Sequence, residues 1–395
     1  MECKYLIIRS LIICLGIFGM GCTGDKKPVY SELAVVIDSI RQKYAPDSRD
    51  NVFDIKISNS NGRAVIKGVT SVLEAKNELR RLVEERFDYA IDSVRVLPDE
   101  SVGERCYGIV NVSVADARMK ADFGAEMATQ WLLGAPVELL QHEGWWRVKS
   151  VAEGYVAWIT GSSFVRVNRD EYEDWLKSPK IVFTDIYGFA FETPDENGQH
   201  AQDLVAGNIL RYKGVEGRFY KAECPDGRVI YVPCNQSKHL DEWLSSTKLS
   251  EQGIVANAMI LKGIPYQWGG TSTKGMDCSG FTKTVFLMNG VILRRDASQQ
   301  AQTGIPVDIS DGYSNLRAGD LMFFGAKEHI RHVAIYLGNS EFIHSAGYVR
   351  INSLDSTKVN YDEDNTREFV LAARVIGSVD TLGVKSLRNF YHSFQ

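Results

Sequence analysis

Apolar and polar positions follow a mixed helix and strand pattern in the first hundred residues. The segments YSELAVVIDSIRQKYAP, which ends at Pro46, and VLEAKNELRRLVEERF both have the spacing of amphipathic helices. Between them, VFDIKISNSNGRAVIKGV alternates over two strands with a turn at Asn61 and Gly62, and DSVRVLP follows as a last strand. The pattern predicts a small α+β module over residues 23–100 with no catalytic constellation, suited to spacing or interaction.

Short strands with a period of two dominate the next two segments, residues 101–177 and 178–246. The first contains LLGAPVELLQHEGWWRVKSVAEGYVAWIT, and the second has IVFTDIYGFAF, DLVAGNILRYKG and DGRVIYVP in corresponding places. Short strands at nearly even spacing are typical of small barrels. The segments EGYVAWI and DGRVIYV resemble the closing strand of bacterial SH3-type domains, so we predict two such barrels.

One cysteine in the last large segment, residues 247–378, lies at a predicted helix start. In KGMDCSGFTKTVF, the residues Phe281, Val285 and Met288 mark one helix face, and Asp277 is a suitable N-cap, which puts Cys278 in the first turn. The positive end of the helix macrodipole stabilises a thiolate, so we expect a lowered pKa for Cys278. The alternative is a small buried thiol without chemical function.

Two histidines downstream are candidates to activate that thiol, because a nucleophilic cysteine needs a base and an orienting group. The segment RHVAIYLGNSEFIHSAG predicts a β-hairpin. With a three-residue loop, His344 pairs opposite Ala334 and shares a face with His332, about 7–8 Å away between backbones. A two-residue loop would put the histidines on opposite faces. They could also be half-exposed strand residues, or His329 and His332 could bind a metal, although no further ligands cluster there.

Length and composition exclude several classes of protein. The chain has 395 residues, enough for several domains, and its 44% hydrophobic and 24% charged residues are typical of globular proteins. The net charge of −5 shows no basic excess, so nucleic-acid binding has no electrostatic support. The seven cysteines form no CxxC or Cys/His zinc pattern, which argues against a structural metal site. Cys224 and Cys234 flank a predicted hairpin, so a disulfide between them stays open.

The N-terminus has the pattern of a targeting segment. Lys4 and Arg9 precede LIICLGIFGM, an apolar run that is too short to span a bilayer and suits a signal peptide. The following GMGC resembles a bacterial lipoprotein cleavage site, although Gly19 stands where such sites usually have Leu. We therefore expect residues 1–22 to be a lipoprotein signal segment and Cys22 to carry lipid. The mature chain would be anchored to a membrane outside the cytoplasm, facing the periplasm. An uncleaved anchor or a plain secretory signal are the alternatives.

The last domain resembles a known family over about 130 residues. The segments YQWGGTSTKGMDCSGF, RRDASQQ, AGDLMFF, HVAIYLG and FIHSAG occur in the order found in NlpC-type cell-wall cysteine peptidases. The resemblance implies an α+β multidomain chain in which a papain-like peptidase domain follows two SH3-like barrels, with residues 379–395 as a C-terminal tail. It also implies that Cys278 is the nucleophile, His332 the base and His344 the orienting residue. Tyr266 would stabilise the oxyanion beside the Cys278 amide.

Two barrels ahead of such a domain resemble the gamma-D-glutamyl-L-diamino acid endopeptidases, or dipeptidyl peptidase VI type. This resemblance implies cleavage of the bond between gamma-D-Glu and a diamino acid in murein stem peptides that have a free N-terminal L-Ala. No metal or organic cofactor is implied, and a monomer is expected. The first barrel would close one end of the cleft, and relatives often have Ser where Ala297 stands. The implied substrate-binding residues are Asp277, Ser279, Glu126, Tyr155, Trp268 and Asp296.

Other interpretations of these residues remain open. Glu126 could be a solvated loop charge, Tyr155 a core residue of the barrel, and Asp277 a helix cap alone. The chain could instead be a broader murein endopeptidase or an amidase of the same fold that acts on intact wall. It could also be a wall-binding lipoprotein without activity.

Overall fold

The N-terminal module folds as a helix pair on a three-stranded sheet. The computed structural model describes residues 27–60, 63–86, 91–381 and 383–393, so Cys22 and the turn at Asn61 and Gly62 lie outside the described residues. The elements are α1 (Lys27–Tyr44), β1 (Phe53–Ser60), β2 (Arg63–Thr70), α2 (Leu73–Arg86) and β3 (Ile91–Val96). Strand β2 lies between antiparallel β1 and parallel β3. Buried Leu33 and Leu79 from the two helices pack on Ile66 of the sheet, as the apolar spacing predicts.

A seven-stranded sheet follows, in the order β10-β4-β7-β8-β9-β5-β6. Alternate side chains point inward around buried Trp131, Val148 and Phe164, which is why the sequence has a period of two here. A capped helix, α3 (Arg169–Lys177), leads out of the sheet. The strands are β4 (Tyr107–Val110), β5 (Val114–Arg118), β6 (Met127–Leu132), β7 (Pro136–Glu143), β8 (Trp145–Ser150), β9 (Val156–Ile159) and β10 (Phe164–Val167).

A second seven-stranded sheet has the order β13-β12-β16-β15-β14-β11-β17. Its strands are β11 (Lys180–Phe183), β12 (Tyr187–Phe191), β13 (His200–Val205), β14 (Ile209–Glu216), β15 (Phe219–Glu223), β16 (Val229–Pro233) and β17 (Ser237–His239). Cys224 and Cys234 are both free thiols, so the disulfide that the sequence left open is not formed. Cys224 is buried in the core of this sheet, and burial raises the pKa of its thiol to about 12.

The last domain packs one buried helix against a six-stranded antiparallel sheet with the order β21-β26-β22-β23-β24-β25. Apolar residues of α6, among them Phe281 and Val285, meet Val333 and Ile343 of the sheet in one core. The elements are α4 (Leu240–Ser246), α5 (Glu251–Ile260), β18 (Thr271–Ser272), β19 (Gly275–Met276), α6 (Cys278–Met288), β20 (Val291–Leu293), α7 (Ala297–Gln300), β21 (Ile305–Val307), β22 (Leu321–Ala326), β23 (His329–Gly338), β24 (Glu341–Ala346), β25 (Tyr348–Ser353), α8 (Glu363–Glu368) and β26 (Phe369–Arg374).

The C-terminal residues join the domains rather than forming a free tail. They comprise β27 (Val384–Ser386), which pairs with β20, and α9 (Leu387–His392). Leu387 and Tyr391 are buried in a cluster with Trp175 of α3, Ile209 of the second sheet and Leu240 of α4. This shared core holds the two sheets against the last domain.

Polar contacts fix the first sheet to the start of the last domain. The Gln130 side-chain oxygen accepts hydrogen bonds from the Thr271 amide at 3.0 Å and from the Ser272 hydroxyl at 3.1 Å. The buried Lys283 ammonium of α6 lies 2.8 Å from the Glu153 carboxylate. The first sheet is therefore held beside the N-terminal end of α6. Among the described helices, none combines the length and apolar character needed to cross a bilayer.

Candidate active site

Helix α6 presents Cys278 as its first residue. Asp277 caps the helix, since its Oδ1 accepts a hydrogen bond from the Gly280 amide at 2.7 Å, as the sequence predicts. The backbone carbonyl of Gly270 passes so close that a Cβ atom at position 280 would lie 1.9 Å from its oxygen. Glycine at this position lets the preceding segment cross the helix start and thereby fixes where the thiol lies.

The Asp277 carboxylate is bound on both oxygens by protein donors. Arg295, whose side chain is only 1% exposed, donates to Oδ2 at 2.6 Å and to Oδ1 at 3.2 Å. The Gly269 amide donates to Oδ2 at 3.0 Å, and the Ser279 hydroxyl donates to Oδ1 at 3.1 Å while accepting from Arg295 at 2.8 Å. A substrate ammonium would have to displace Arg295 to reach Asp277. The contacts therefore favour a structural role for Asp277 at the helix start.

The hairpin that carries the two histidines has a two-residue turn. Asn339 and Ser340 alone connect β23 to β24, and both have positive φ angles, of 51° and 64°. Of the two loop lengths that the sequence left open, this is the one expected to put the histidines on opposite faces. A bulge between Tyr336 and Gly338 supplies the extra residue on β23, so the strand register is the one that a three-residue loop would give.

This register brings the histidines together. Ile335 pairs with Ile343, so the next residues along, Ala334 and His344, face each other as predicted. His332 and His344 share that face of the sheet, and the Nε2 atom of His332 lies 2.7 Å from the Nδ1 atom of His344. Both rings are buried. The alternative of two half-exposed strand residues is wrong.

Asn352 of β25 continues the chain of hydrogen bonds and fixes its direction. Its side-chain oxygen lies 3.0 Å from His344 Nε2, and its side-chain nitrogen donates to the Asn360 carbonyl at 3.2 Å. His344 Nε2 must therefore carry a proton, which leaves Nδ1 as an acceptor for the Nε2 proton of His332. In this arrangement the remaining nitrogen of His332, Nδ1, is free to accept a proton.

The thiol of Cys278 is held against the strand that bears His332. Burial, followed by the neighbouring Asp277 carboxylate, raises the pKa of the Cys278 thiol to about 12. The backbone amides of Val333 and Ser279 oppose part of this rise. The expected lowering of this pKa was wrong. A helix dipole contributes about 0.3–1 kcal/mol, less than one pKa unit, whereas full burial shifts a pKa by up to about 3–5 units.

Both imidazoles are neutral in the same environment. Burial, followed by the nearby His344, lowers the pKa of His332 to about 3. Burial also lowers the pKa of His344 to about 4, against the opposing effect of the Asn352 hydrogen bond. The resting site therefore holds a neutral thiol at the start of α6 and a neutral imidazole on β23, the strand that packs against this helix. A thiolate can form there only as the proton passes to an acceptor such as His332.

An open cleft of about 380 Å³ runs over Cys278 and is lined by all seven residues that the sequence predicts for substrate binding or the oxyanion. The exposed Trp268 ring donates from Nε1 to the Glu126 carboxylate at 2.7 Å, so Glu126 contacts a cleft residue of another domain. The Tyr155 hydroxyl donates to Asp296 Oδ2 at 3.2 Å. Tyr266 also lines the cleft, and burial, then nearby Cys278, raises its pKa above the ordinary value.

Three residues of the site escaped the sequence analysis. Arg295 stands inside the quoted motif RRDASQQ beside Asp296, so its position in the motif was an available clue. Asn352 becomes a partner of His344 only through the pairing of β24 with β25. Arg49 lines the cleft from the N-terminal module, and no local pattern connects it to residues almost 250 positions away.

The structure does not support the metal pair that the sequence left open. Within the described ranges, no group of three or more His, Cys, Asp or Glu side chains could hold a metal ion. His329 is exposed at the start of β23, and His332 is bound to His344 instead.

Comparisons with known proteins agree with this site. The family model described as NlpC/P60 matches residues 263–368, which include Cys278, His332 and His344. A model described as the bacterial dipeptidyl-peptidase Sh3 domain matches residues 118–163, inside the first seven-stranded sheet.

Curated relatives extend the similarity beyond the last domain. The gamma-D-glutamyl-L-lysine dipeptidyl-peptidase of Bacillus subtilis (strain 168) is 39% identical over 232 residues, which cover 55% of this chain and 71% of the relative. Dipeptidyl-peptidase 6 of Lysinibacillus sphaericus is 26% identical over 269 residues, which cover 65% of this chain and 94% of the relative.

A solved structure shows the same fold. The NlpC/P60 family protein from Bacillus cereus superimposes with a TM-score of 0.60 at 21% identity, covering 68% of this chain and 99% of that one. The predicted combination of a papain-like domain with an SH3-type domain is confirmed. The chain belongs to the NlpC/P60 family of cell-wall cysteine peptidases.

Proposed function

We propose that this peptidase hydrolyses the bond between gamma-D-Glu and the diamino acid of murein stem peptides whose N-terminal L-Ala is free. The observation that carries the proposal is the directed chain from Asn352 through His344 to His332 on β23, the strand that packs against the helix beginning with Cys278, which lies in a cleft that the first seven-stranded sheet borders. The name of the Bacillus subtilis relative, gamma-D-glutamyl-L-lysine dipeptidyl-peptidase, supports cleavage between gamma-D-Glu and a diamino acid, and the name of the Lysinibacillus sphaericus relative, dipeptidyl-peptidase 6, supports release of a dipeptide.

The first half of the reaction transfers the acyl group to Cys278. As its sulfur attacks the gamma-carbonyl carbon of D-Glu, the thiol proton passes to His332 Nδ1, the one ring nitrogen without a proton. The negative charge develops on the carbonyl oxygen, where the Cys278 amide and the Tyr266 hydroxyl can donate. His332 then gives the proton to the amine of the diamino acid as the carbon–nitrogen bond breaks. A thioester on Cys278 remains.

The second half restores the enzyme. His332 takes a proton from water as the water oxygen attacks the thioester carbon, and then returns that proton to the sulfur as the carbon–sulfur bond breaks. The products are L-Ala-gamma-D-Glu and the diamino acid portion. Because His332 is neutral at rest, it can act as the base over the whole physiological pH range.

Recognition of the free L-Ala ammonium is assigned to the cleft end bordered by the first barrel. Glu126 has one carboxylate oxygen bound to Trp268, which leaves the second for an ammonium. The Tyr155 hydroxyl donates to Asp296, so its oxygen lone pairs remain available as acceptors. A desolvated ammonium needs such oxygen partners, and an N-acetylated substrate would leave them unpaired.

The experiment incubates purified protein lacking residues 1–22 with L-Ala-gamma-D-Glu-meso-diaminopimelate and identifies the products by mass spectrometry. An N-acetylated copy of the peptide and a Cys278→Ala variant serve as controls. We expect cleavage of the free-amine peptide only, and none by the variant.

Other results would point elsewhere. Equal cleavage of the N-acetylated peptide would show that Glu126 and Tyr155 do not recognise the ammonium. The assignment of Cys278 as the nucleophile would be unaffected. Release of fragments from intact sacculi would favour a broader murein endopeptidase or amidase. No cleavage of any of these substrates would leave a wall-binding role without activity.

A further inference from the structure

The N-terminal module contributes a charged residue to the cleft of the peptidase domain. The loop between α1 and β1 carries Arg49, whose guanidinium lines the cleft together with Tyr155 and Cys278. The side chain is 27% exposed, so one edge of it faces the open space. Its Nη1 donates to Asp296 at 2.9 Å and to Ser298 at 3.0 Å.

The loop that carries Arg49 is clamped in place. Asp47 accepts from both Nε and Nη2 of Arg49 at 2.8 Å, and the Arg49 carbonyl accepts from the Val156 amide of the first barrel at 2.7 Å. One residue further, Asp50 binds the Arg294 guanidinium at 2.6 Å. Val52 is buried at the end of the loop against Val156 and other residues of the module and barrel. The guanidinium is therefore held in a fixed position on one wall of the cleft.

Arg49 has a donor to spare and is held at the cleft beside Asp296. Of the other two arginines in the described cleft lining, Arg295 is 1% exposed and its terminal nitrogens bind Asp277 and Ser279, while Arg331 is paired with Glu368. Arginine has five N–H donors, and Nη2 of Arg49 has Asp47 as its single partner within the described chain. One N–H of this nitrogen is left for a ligand.

The substrate of the proposed function has an anionic group suited to that donor. A gamma-linked D-Glu keeps its α-carboxylate free, and the carboxyl carbon lies four carbon–carbon bonds, about 5 Å, from the carbonyl that Cys278 attacks. A guanidinium binds a carboxylate through charge-assisted hydrogen bonds, for which its planar donor geometry is suited.

We propose that Arg49 binds the α-carboxylate of the gamma-linked D-Glu, which makes the N-terminal module part of substrate selection. This inference rests on the proposed function. It assigns the module a role in specificity, where the sequence pattern alone suggested spacing or interaction.

The test compares two tripeptides that differ in one group. One is L-Ala-gamma-D-Glu-meso-diaminopimelate, and the other has the D-Glu α-carboxylate replaced by a carboxamide. We expect the native enzyme to prefer the carboxylate peptide. Arg49→Gln should lower kcat/KM by roughly 10- to 100-fold on the carboxylate peptide and by less than about threefold on the carboxamide peptide.

Two further variants separate recognition from docking of the loop. Arg49→Lys keeps the charge and should restore part of the preference for the carboxylate peptide. Arg294→Gln removes a neighbouring contact of the same loop, the one with Asp50, but Arg294 does not line the cleft. This control should leave the ratio of the two kcat/KM values unchanged.

The other outcomes overturn the inference. An equal loss on both peptides in Arg49→Gln would mean that the residue only docks the loop. Equal activity of the native enzyme on both peptides would mean that the enzyme does not recognise the α-carboxylate of D-Glu. If the native enzyme cleaves neither peptide, the proposed function fails and this inference fails with it.

Discussion

The side-chain amide of Asn352 determines the direction of the hydrogen bonds in the buried histidine pair. Asn352 accepts from His344 and donates to the Asn360 carbonyl, so its orientation determines which nitrogens of both rings carry protons. His332 is left with Nδ1 as an acceptor only while His344 is neutral. Protonated His344 would donate from both nitrogens, and the neutral His332 ring would then have to carry its own proton on Nδ1.

A carboxylate in place of this amide should shift the pH dependence of activity. In Asn352→Asp, the negative charge beside His344 favours the imidazolium and raises its pKa from the native value of about 4. The inactive protonated form then persists to higher pH, so the acid limb of kcat/KM should move up by about 1–3 pH units. The pH profile of peptide cleavage measures this shift.

Ser353→Ala is the matched control, because it lies next to Asn352 in β25 and its hydroxyl bonds to the Ser340 carbonyl at 3.1 Å, away from the imidazoles. Its acid limb should coincide with that of the native enzyme. An unchanged acid limb in Asn352→Asp would show that this residue does not set the protonation of the pair.

At the residue scale, local patterns predict which residues form the site better than they predict the surroundings of those residues. The helix cap at Asp277 follows from neighbouring residues, so it could be read from the sequence. The pKa of Cys278 depends on burial by distant strands, which the helix pattern does not contain. The partner of His344 at position 352 depends on a third strand, β25.

Two elements set the geometry of the site, the start of α6 and the β23–β24 hairpin. In the hairpin, the histidines share one face although the turn has the length that was expected to separate them. The turn has two residues, and a bulge near Leu337 compensates, so the histidines still share one face. A bulge has no reliable sequence pattern of its own. The alternation of buried residues in the strands on either side of it can be seen in the sequence.

Gly280 is where the start of α6 is most sensitive. Replacing glycine with alanine inside a helix normally stabilises it by up to about 1 kcal/mol. Here the new Cβ atom would lie 1.9 Å from the Gly270 carbonyl oxygen, so backbone must move. Gly280→Ala should therefore lower the free energy of unfolding by about 3 kcal/mol, measured by urea denaturation, and should displace Cys278 enough to reduce activity.

Gly124→Ala provides the comparison, since its Cβ would meet only the Asp122 side chain at 3.3 Å. Its unfolding midpoint should stay close to the native one. A Gly280→Ala protein with native stability would mean that the segment around Gly270 moves aside freely.

At the scale of the whole molecule, the barrels and the peptidase domain share buried contacts. The Lys283–Glu153 ion pair crosses from α6 to the first barrel with side chains that are 11% and 8% exposed. The shared apolar cluster around Tyr391 connects the second sheet to the C-terminal helix. Which segments form strands could be predicted from period-two patterns, but contacts between domains could not, because they join residues far apart in the chain.

Removing one partner of the crossing ion pair should destabilise the molecule more than removing both. Glu153→Leu leaves the Lys283 ammonium buried without its partner and should cost about 3–5 kcal/mol of unfolding free energy. The double variant with Lys283→Met replaces both charges by apolar groups and should recover most of that loss.

Urea denaturation of the native protein, both single variants and the double variant completes this cycle. A double variant whose loss equals the sum of the losses in Glu153→Leu and Lys283→Met would show that the two side chains act independently.

The contact between Arg49 and Asp296 also determines when the cleft can form during synthesis of the chain. Asp296, the partner of Arg49 across the cleft, is added 247 residues later in the chain. At about 5–20 residues per second, translation reaches that position only after roughly 12–50 s. The N-terminal module can fold early around its own core and can dock on Val156 of the first seven-stranded sheet, but a chain that ends before Asp296 lacks the partner of Arg49 in the cleft. Completion of this wall of the cleft therefore reports that the chain has been made at least as far as Asp296.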